Sequence, residues 1–119
     1  MNIPERSRFI GDEDPLELWW FVSNALVNFG AGYTFSLKVA TISDPATTLF
    51  TKTTGFTGSA GSGTESTGTP NLTVAFATTG ELNDLDPGRY FLEITATKVS
   101  DSTETTLRMK LEMLSRLGI

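Results

Sequence analysis

The sequence predicts an all-β domain, an antiparallel sandwich or barrel of about seven strands, and three observations point there. The chain has 119 residues, a length that suits one domain with a real hydrophobic core. Hydrophobic residues supply 39% and charged residues 19%; both are low for a globular chain, and Gly and Thr fill the gap. Thr, Val, Ile, Phe, Tyr and Trp suit a pleated, half-buried surface, whereas Ala, Glu, Lys and Leu would dominate a helical bundle. Finally, short runs that alternate apolar and polar residues recur along the chain, with turn-like segments and no helical period between them.

Met1 to Asp14 carries Pro4, Glu5, Arg6, Arg8 and Gly11-Asp12-Glu13-Asp14, with Phe9 and Ile10 as its sizeable apolar pair; it reads as an extended arm with at most a short edge strand. Residues 15–119 then form the domain. Leu16 to Val22 predicts the first long strand, with Leu16, Leu18, Trp20 and Val22 on one face and Glu17, Trp19 and Phe21 on the other. Asn24 to Gly32 reads as a turn or loop, with Leu26, Val27 and Phe29 partly against the core. Tyr33 to Val39 alternates cleanly, as a strand with one wet face should. Ser43-Asp44-Pro45 breaks it, and Thr47 to Thr53 supplies a Thr-rich edge strand.

Gly55 to Pro70 interleaves Gly with Ser and Thr, has little to bury and much entropy to lose on ordering, and so predicts a long, mobile, exposed loop. Alternation resumes at Asn71 to Thr78 with Leu72, Val74 and Phe76 inward. Thr79 to Asp86 allows one short helical turn. Tyr90 to Thr97 is a strong strand, Ser100-Asp101-Ser102 a turn, and Thr105 to Met113 a final strand. The expected core is Leu18, Trp20, Phe35, Leu37, Val39, Val74, Phe76, Tyr90, Leu92, Ile94, Leu107, Met109 and Leu111.

Composition also narrows function. Without Cys the chain has neither disulfides nor thiolate metal sites. Without His it lacks the usual general base near neutral pH and the commonest metal ligand. A net charge of -5 with a pI near 4.6, and scattered basic residues, argue against a phosphate-binding footprint and so against nucleic acid. No apolar run approaches the roughly 20 residues a bilayer requires, and the N-terminus has no secretory pattern.

The sharpest local signal is Asp84-Leu85-Asp86-Pro87-Gly88-Arg89-Tyr90. Pro87 presets its backbone and Gly88 tolerates unusual angles, so a tight turn is expected, with the Tyr90 ring packed inward and its hydroxyl bonded to main chain upstream. Asp86, Pro87, Gly88 and Tyr90 are therefore structural. A second signal is aromatic: Trp19, Phe21 and Phe91 fall on outward positions and predict an apolar patch for a protein partner, unless the chain itself covers them. Asp12, Glu13, Asp14 and Glu17 offer oxygen ligands but fit no cation loop, so a solvated acidic patch is the better reading. Glu81, Asp84 and Asp86 sit in a turn with its own structural explanation, and no active site, metal or cofactor is expected. An exposed Trp19 or Tyr33 would also suit sugar stacking, which keeps a stand-alone adhesion or carbohydrate-binding module as the alternative.

Several stretches resemble one family. Gly11-Asp12 before an alternating strand, Phe35-Ser36-Leu37-Lys38, the Gly- and Thr-rich middle, Leu72-Thr73-Val74, and Leu85 to Ile94 before a Thr-rich hairpin look like small immunoglobulin-like domains of tailed-phage virions. The nearest are the N-terminal domains of upper-baseplate proteins and related minor virion proteins. The resemblance implies an immunoglobulin-like antiparallel β-sandwich and a non-enzymatic virion protein of the baseplate, tail or capsid decoration. It implies many copies in a symmetric assembly built in the host cytoplasm, with other virion proteins as partners and neither nucleic acid nor membrane. Contact would come from the arm with Phe9 and Ile10 reaching over a neighbour, from the aromatic patch, and from edge strands that extend a partner's sheet.

Overall fold

The alternating run Gly88 to Lys98 forms the centre of the larger sheet, and its even-numbered members Tyr90, Leu92, Ile94 and Ala96 are all buried while the residues between them are not. The computed structural model describes residues 5–9, 14–44, 46–64, 67–76 and 81–114. Among these, the strands in chain order are β1 (Glu5–Phe9), β2 (Leu16–Leu18), β3 (Phe21–Val22), β4 (Ala25–Leu26), β5 (Tyr33–Thr41), β6 (Thr48–Lys52), β7 (Phe56–Gly58), β8 (Leu72–Val74), β9 (Gly88–Lys98) and β10 (Glu104–Leu114), with one 3₁₀ turn at Glu81–Asp84. The protein is all-β.

Five strands form one sheet in the order β1-β10-β9-β5-β6, three form a second in the order β2-β8-β7, and β3 and β4 make a separate hairpin. The pairings are antiparallel except that of β1 with β10. Register aligns the inward residues in rows: Met109, Leu92 and Val39 in one, Leu107, Ile94 and Leu37 in the next. Leu16, Leu18, Leu72 and Val74 come from the smaller sheet, and all of these side chains join one core cluster with Trp20, Phe29, Phe76 and Leu82. Both sheets thus bury one face in a common core and leave the other to solvent, the arrangement that period-2 alternation requires.

Of the expected core, Phe35 and Leu107 are only partly buried but pack against the rest. An aromatic chain runs through one end of it: Phe29 meets Trp20, Tyr33 and Phe35 edge-on at 5.2, 5.0 and 5.3 Å, and Phe35 stacks on Phe56 at 5.5 Å. Such pairs add attraction beyond their buried area.

Three expectations change. The single strand over Leu16 to Val22 is two, because β2 ends at Leu18 and the chain turns into a hairpin. Ser23 and Asn24 both take positive φ, 52° and 66°, the pair of left-handed residues that a tight two-residue hairpin turn needs. Val22 consequently leaves the core face and is 44% exposed. Asn24 to Gly32 contributes β4 to that hairpin, and Phe29 is fully packed in the core.

The stretch from Gly55 to Pro70 is not a featureless loop. Phe56–Gly58 pairs with β8, and beyond it Ser62 and Thr69 exchange backbone hydrogen bonds at 2.9 and 3.0 Å, as do Thr64 and Thr67 at 3.1 and 2.9 Å. Backbone groups bonded to each other, with little side-chain burial, let such polar segments pair. The described part of the arm is the expected short edge strand, in which Glu5–Phe9 runs parallel to Lys110–Leu114 in the chain's own sheet.

Candidate interaction site

Among the described residues, the β3–β4 hairpin carries two adjacent exposed large hydrophobic side chains, Phe21 and Val22. A pair of two-residue strands is too short to be stable alone, and the fold secures its base with a buried side chain. Asn71, with none of its surface exposed, accepts the Trp20 N–H through Oδ1 at 2.7 Å and donates through Nδ2 to the Trp20 and Val27 carbonyls at 2.9 Å each. Val27 N–H also donates to the Trp20 carbonyl at 3.1 Å. The hairpin so held projects Phe21 and Val22, 42% and 44% exposed.

Trp19 is half-buried, and its indole Nε1 donates to the Ser62 carbonyl at 3.1 Å. The paired segments 62–64 and 67–69 therefore brace this ring from within the chain. Phe91 stands elsewhere. It alternates with the core residues Tyr90 and Leu92 and so projects from the outer face of the five-stranded sheet, where it and Ala46, Thr48, Lys38, Glu93 and Arg108 line a depression of about 410 Å³. The expected patch of Trp19, Phe21 and Phe91 is thus divided: Trp19 lies in the link between β2 and β3, Phe21 on the β3–β4 hairpin and Phe91 on the five-stranded sheet. Around Phe91 the charges are ordered across strands. Glu93 has Arg108 opposite on β10 and Lys38 opposite on β5, with Arg108 Nε 2.9 Å from its carboxylate. In so exposed a pair the contribution to stability is small; the row instead gives the sheet face a fixed polarity.

Tyr90, at the turn singled out above, packs its ring in the core and donates its hydroxyl to the Asp86 carbonyl at 2.7 Å. Burial, with a smaller contribution from the Asp86 carboxylate, raises its pKa above the usual 10.0. At the β9–β10 turn, Asp101 accepts the Thr103 N–H at 3.0 Å, and this bond holds its carboxyl below the usual range.

Of the arm residues, Phe9 pairs through its backbone with Leu114, and Ile10 lies outside the described residues, as do Asp12 and Glu13. Asp14 and Glu17 are exposed. Glu81 pairs with Lys52 at 2.7 Å, the lysine side chain being only 8% exposed. Lys52 Nζ and the Arg8 guanidinium lie 5.7 and 5.3 Å from the Phe76 ring centroid, within cation–π range. Among the described residues no three His, Cys, Asp or Glu side chains cluster closely enough to hold a metal ion, and no helix is long and apolar enough to cross a membrane. Asn71 escaped the sequence reading. Between Pro70 and an alternating run it looks like an ordinary turn residue, and no local signal marks it as buried.

Set against known proteins, the chain matches no family model, no curated protein and no solved structure.

Proposed function

We propose that this chain is a non-enzymatic structural protein of a tailed-phage virion, an immunoglobulin-like β-sandwich that acts through protein–protein contacts in a baseplate, tail or capsid decoration. The fold part of the reading draws support from the strand order. Five strands, β1-β10-β9-β5-β6, and three, β2-β8-β7, enclose one core, with the first strand parallel to the last. The Tyr90 lock on Asp86 is a feature of such sandwiches.

The observation that carries the contact reading is the β3–β4 hairpin. Its base is held by a buried asparagine while its two aliphatic and aromatic side chains, Phe21 and Val22, face solvent. A side chain that adds nothing to its own core but stands on a rigid support is a natural anchor for a recess in a neighbour. The Phe91 face, with its alternating charges, is a second contact that orients the subunit. Net charge of -5 keeps the free subunit dispersed before assembly.

The test is affinity capture and sedimentation from a lysate of the native source, with mass spectrometry of what travels with the chain. Cosedimentation with capsid or tail proteins in fixed ratio, lost in the doubly substituted Phe21→Ser and Val22→Ser variant, is the expected result. A slowly sedimenting monomer without virion partners overturns the proposal.

A further inference from the structure

The five-stranded sheet has a gap in its ladder. β5 pairs with β9 over its whole length, Tyr33 to Thr41, but with β6 only from Leu37 onward. Beyond Lys52 the chain leaves this sheet, turns at Gly55 with φ 84°, and enters the other sheet as β7. Tyr33 to Ser36 is thus an open edge. Its polarity follows from the alternation of antiparallel ladders. Val99 N–H bonds the Gly32 carbonyl, which makes Gly32 and Val99 a hydrogen-bonded pair; Thr34 and Ser36 are then bonded to β9, and the N–H and C=O groups of Tyr33 and Phe35 point away from it. The next rung that β6 would supply, Phe35 with Thr54, is not formed, and among the described residues no backbone bond takes its place.

Beside this edge lies a groove of about 480 Å³ between Tyr33–Ser36 on one wall and Thr53, Thr54 and Phe56 on the other, lined by no charged side chain. Two readings compete for it, a neutral glycan and an extended peptide. Sugar stacking needs a free ring face. Here Phe29 abuts Tyr33 and Phe35 edge-on, while Phe35 stacks between Tyr33 at 6.4 Å and Phe56 at 5.5 Å, so Phe35, the central ring, has no free face. What the groove offers instead is two donor–acceptor pairs spaced two residues apart on one strand, which is the repeat of a peptide backbone.

We infer that the Tyr33–Ser36 edge of β5 is a strand-addition site, which takes an extended, uncharged peptide segment antiparallel to β5 with aliphatic side chains against Tyr33, Phe35 and Phe56. Backbone bonds to Tyr33 and Phe35 supply affinity, and the absence of charge in the lining selects neutral segments. A segment, and not a whole sheet, is the occupant, because Thr53 to Gly55 walls the groove on its far side. The inference rests on the ladder gap and is independent of the virion reading.

The experiment is an amide-resolved NMR titration of the full chain with a capped peptide of alternating Val and Thr, with the same peptide N-methylated on every Val or on every Thr, and with a neutral glucose hexasaccharide. Expected are shifts and slowed exchange at the Tyr33 and Phe35 amides, binding retained by one methylated peptide and weakened about tenfold or more in the other, and loss of binding in Thr54→Trp, an exposed wall position whose change leaves the spectrum dispersed. No response of those two amides at millimolar peptide, equal binding by all three peptides, or shifts produced by the hexasaccharide alone would each overturn it.

Discussion

The side chain of Asn71 serves Trp20 as a neighbouring strand would. Its amide accepts from the Trp20 N–H at 2.7 Å and donates to the Trp20 carbonyl at 2.9 Å, closing the same pair of bonds that two antiparallel residues exchange. The rung stands where β2 has ended and β3 has not begun, and Asn71 N–H also binds the Leu18 carbonyl at 3.0 Å. One side chain thereby continues the small sheet across a break.

Asn71→Ala leaves the Trp20 N–H and the Val27 carbonyl without partners, while the Trp20 carbonyl keeps the bond from the Val27 N–H. At roughly 1 to 3 kcal/mol for each buried group left without a partner, the loss should be about 3 kcal/mol or more, read from urea unfolding. A loss below about 1 kcal/mol would mean that water reoccupies the site and that the hairpin does not depend on the amide.

Tyr90→Phe removes the bond to Asp86 and keeps the ring in the core. The cost should be about 1 kcal/mol at neutral pH. The pH dependence is a second signature: because the folded state holds the Tyr90 pKa above 10.0, its contribution is complete below that value and is lost as pH rises through the folded pKa. Wild type should therefore weaken more steeply than the variant in alkaline solution; parallel stability curves above pH 10.0 would refute the assignment.

Lys52 is held almost out of solvent between Glu81 and the Phe76 ring. Glu81→Gln keeps the shape but removes the counter-charge and should cost about 2 kcal/mol, whereas adding Lys52→Met to it should recover most of that loss, since a buried pair replaced by apolar groups is often neutral. Thermal melts of the two variants decide the point; equal melting temperatures would show that the ion pair is solvated.

Two glycines separate shape from conformation. At Gly58 an added Cβ would lie 2.0 Å from the Phe29 carbonyl oxygen, so Gly58→Ala must push β7 from Phe29 and should cost about 2 kcal/mol or more. Gly32 has φ 82° with nothing within 4 Å; Gly32→Ala pays only for the left-handed backbone, about 1 kcal/mol. If Gly58→Ala proves the milder change, the close approach is relieved by a simple shift.

The parts legible in the sequence are those where alternation is strong and sustained. β5, β9 and β10 follow from Tyr33 to Val39, Tyr90 to Thr97 and Thr105 to Met113 because each places its apolar members two apart. The break after Leu18 was hidden, since Trp19-Trp20-Phe21-Val22 is apolar throughout and alternation cannot show a change of direction within such a run. β7 was hidden for the opposite reason, as Phe56-Thr57-Gly58 has one apolar side chain in a Gly-rich stretch and is held by backbone bonds to β8. The aromatic patch failed as a unit because strand faces are local. Trp19 lies in the link after β2 and Phe91 on β9, and how far apart these stand is a matter of topology.

The parallel pairing of β1 with β10 has a mechanical meaning. Glu5 lies beside Lys110 and Phe9 beside Leu114, so tension applied at Glu5 and at Leu114 draws the two strands past each other along their length. The whole ladder then shares the load, in contrast to a hairpin peeled open one rung at a time. The strand that joins the sheet nearest the start of the chain works as a clasp against stretching, and the two points of attachment lie at opposite ends of it.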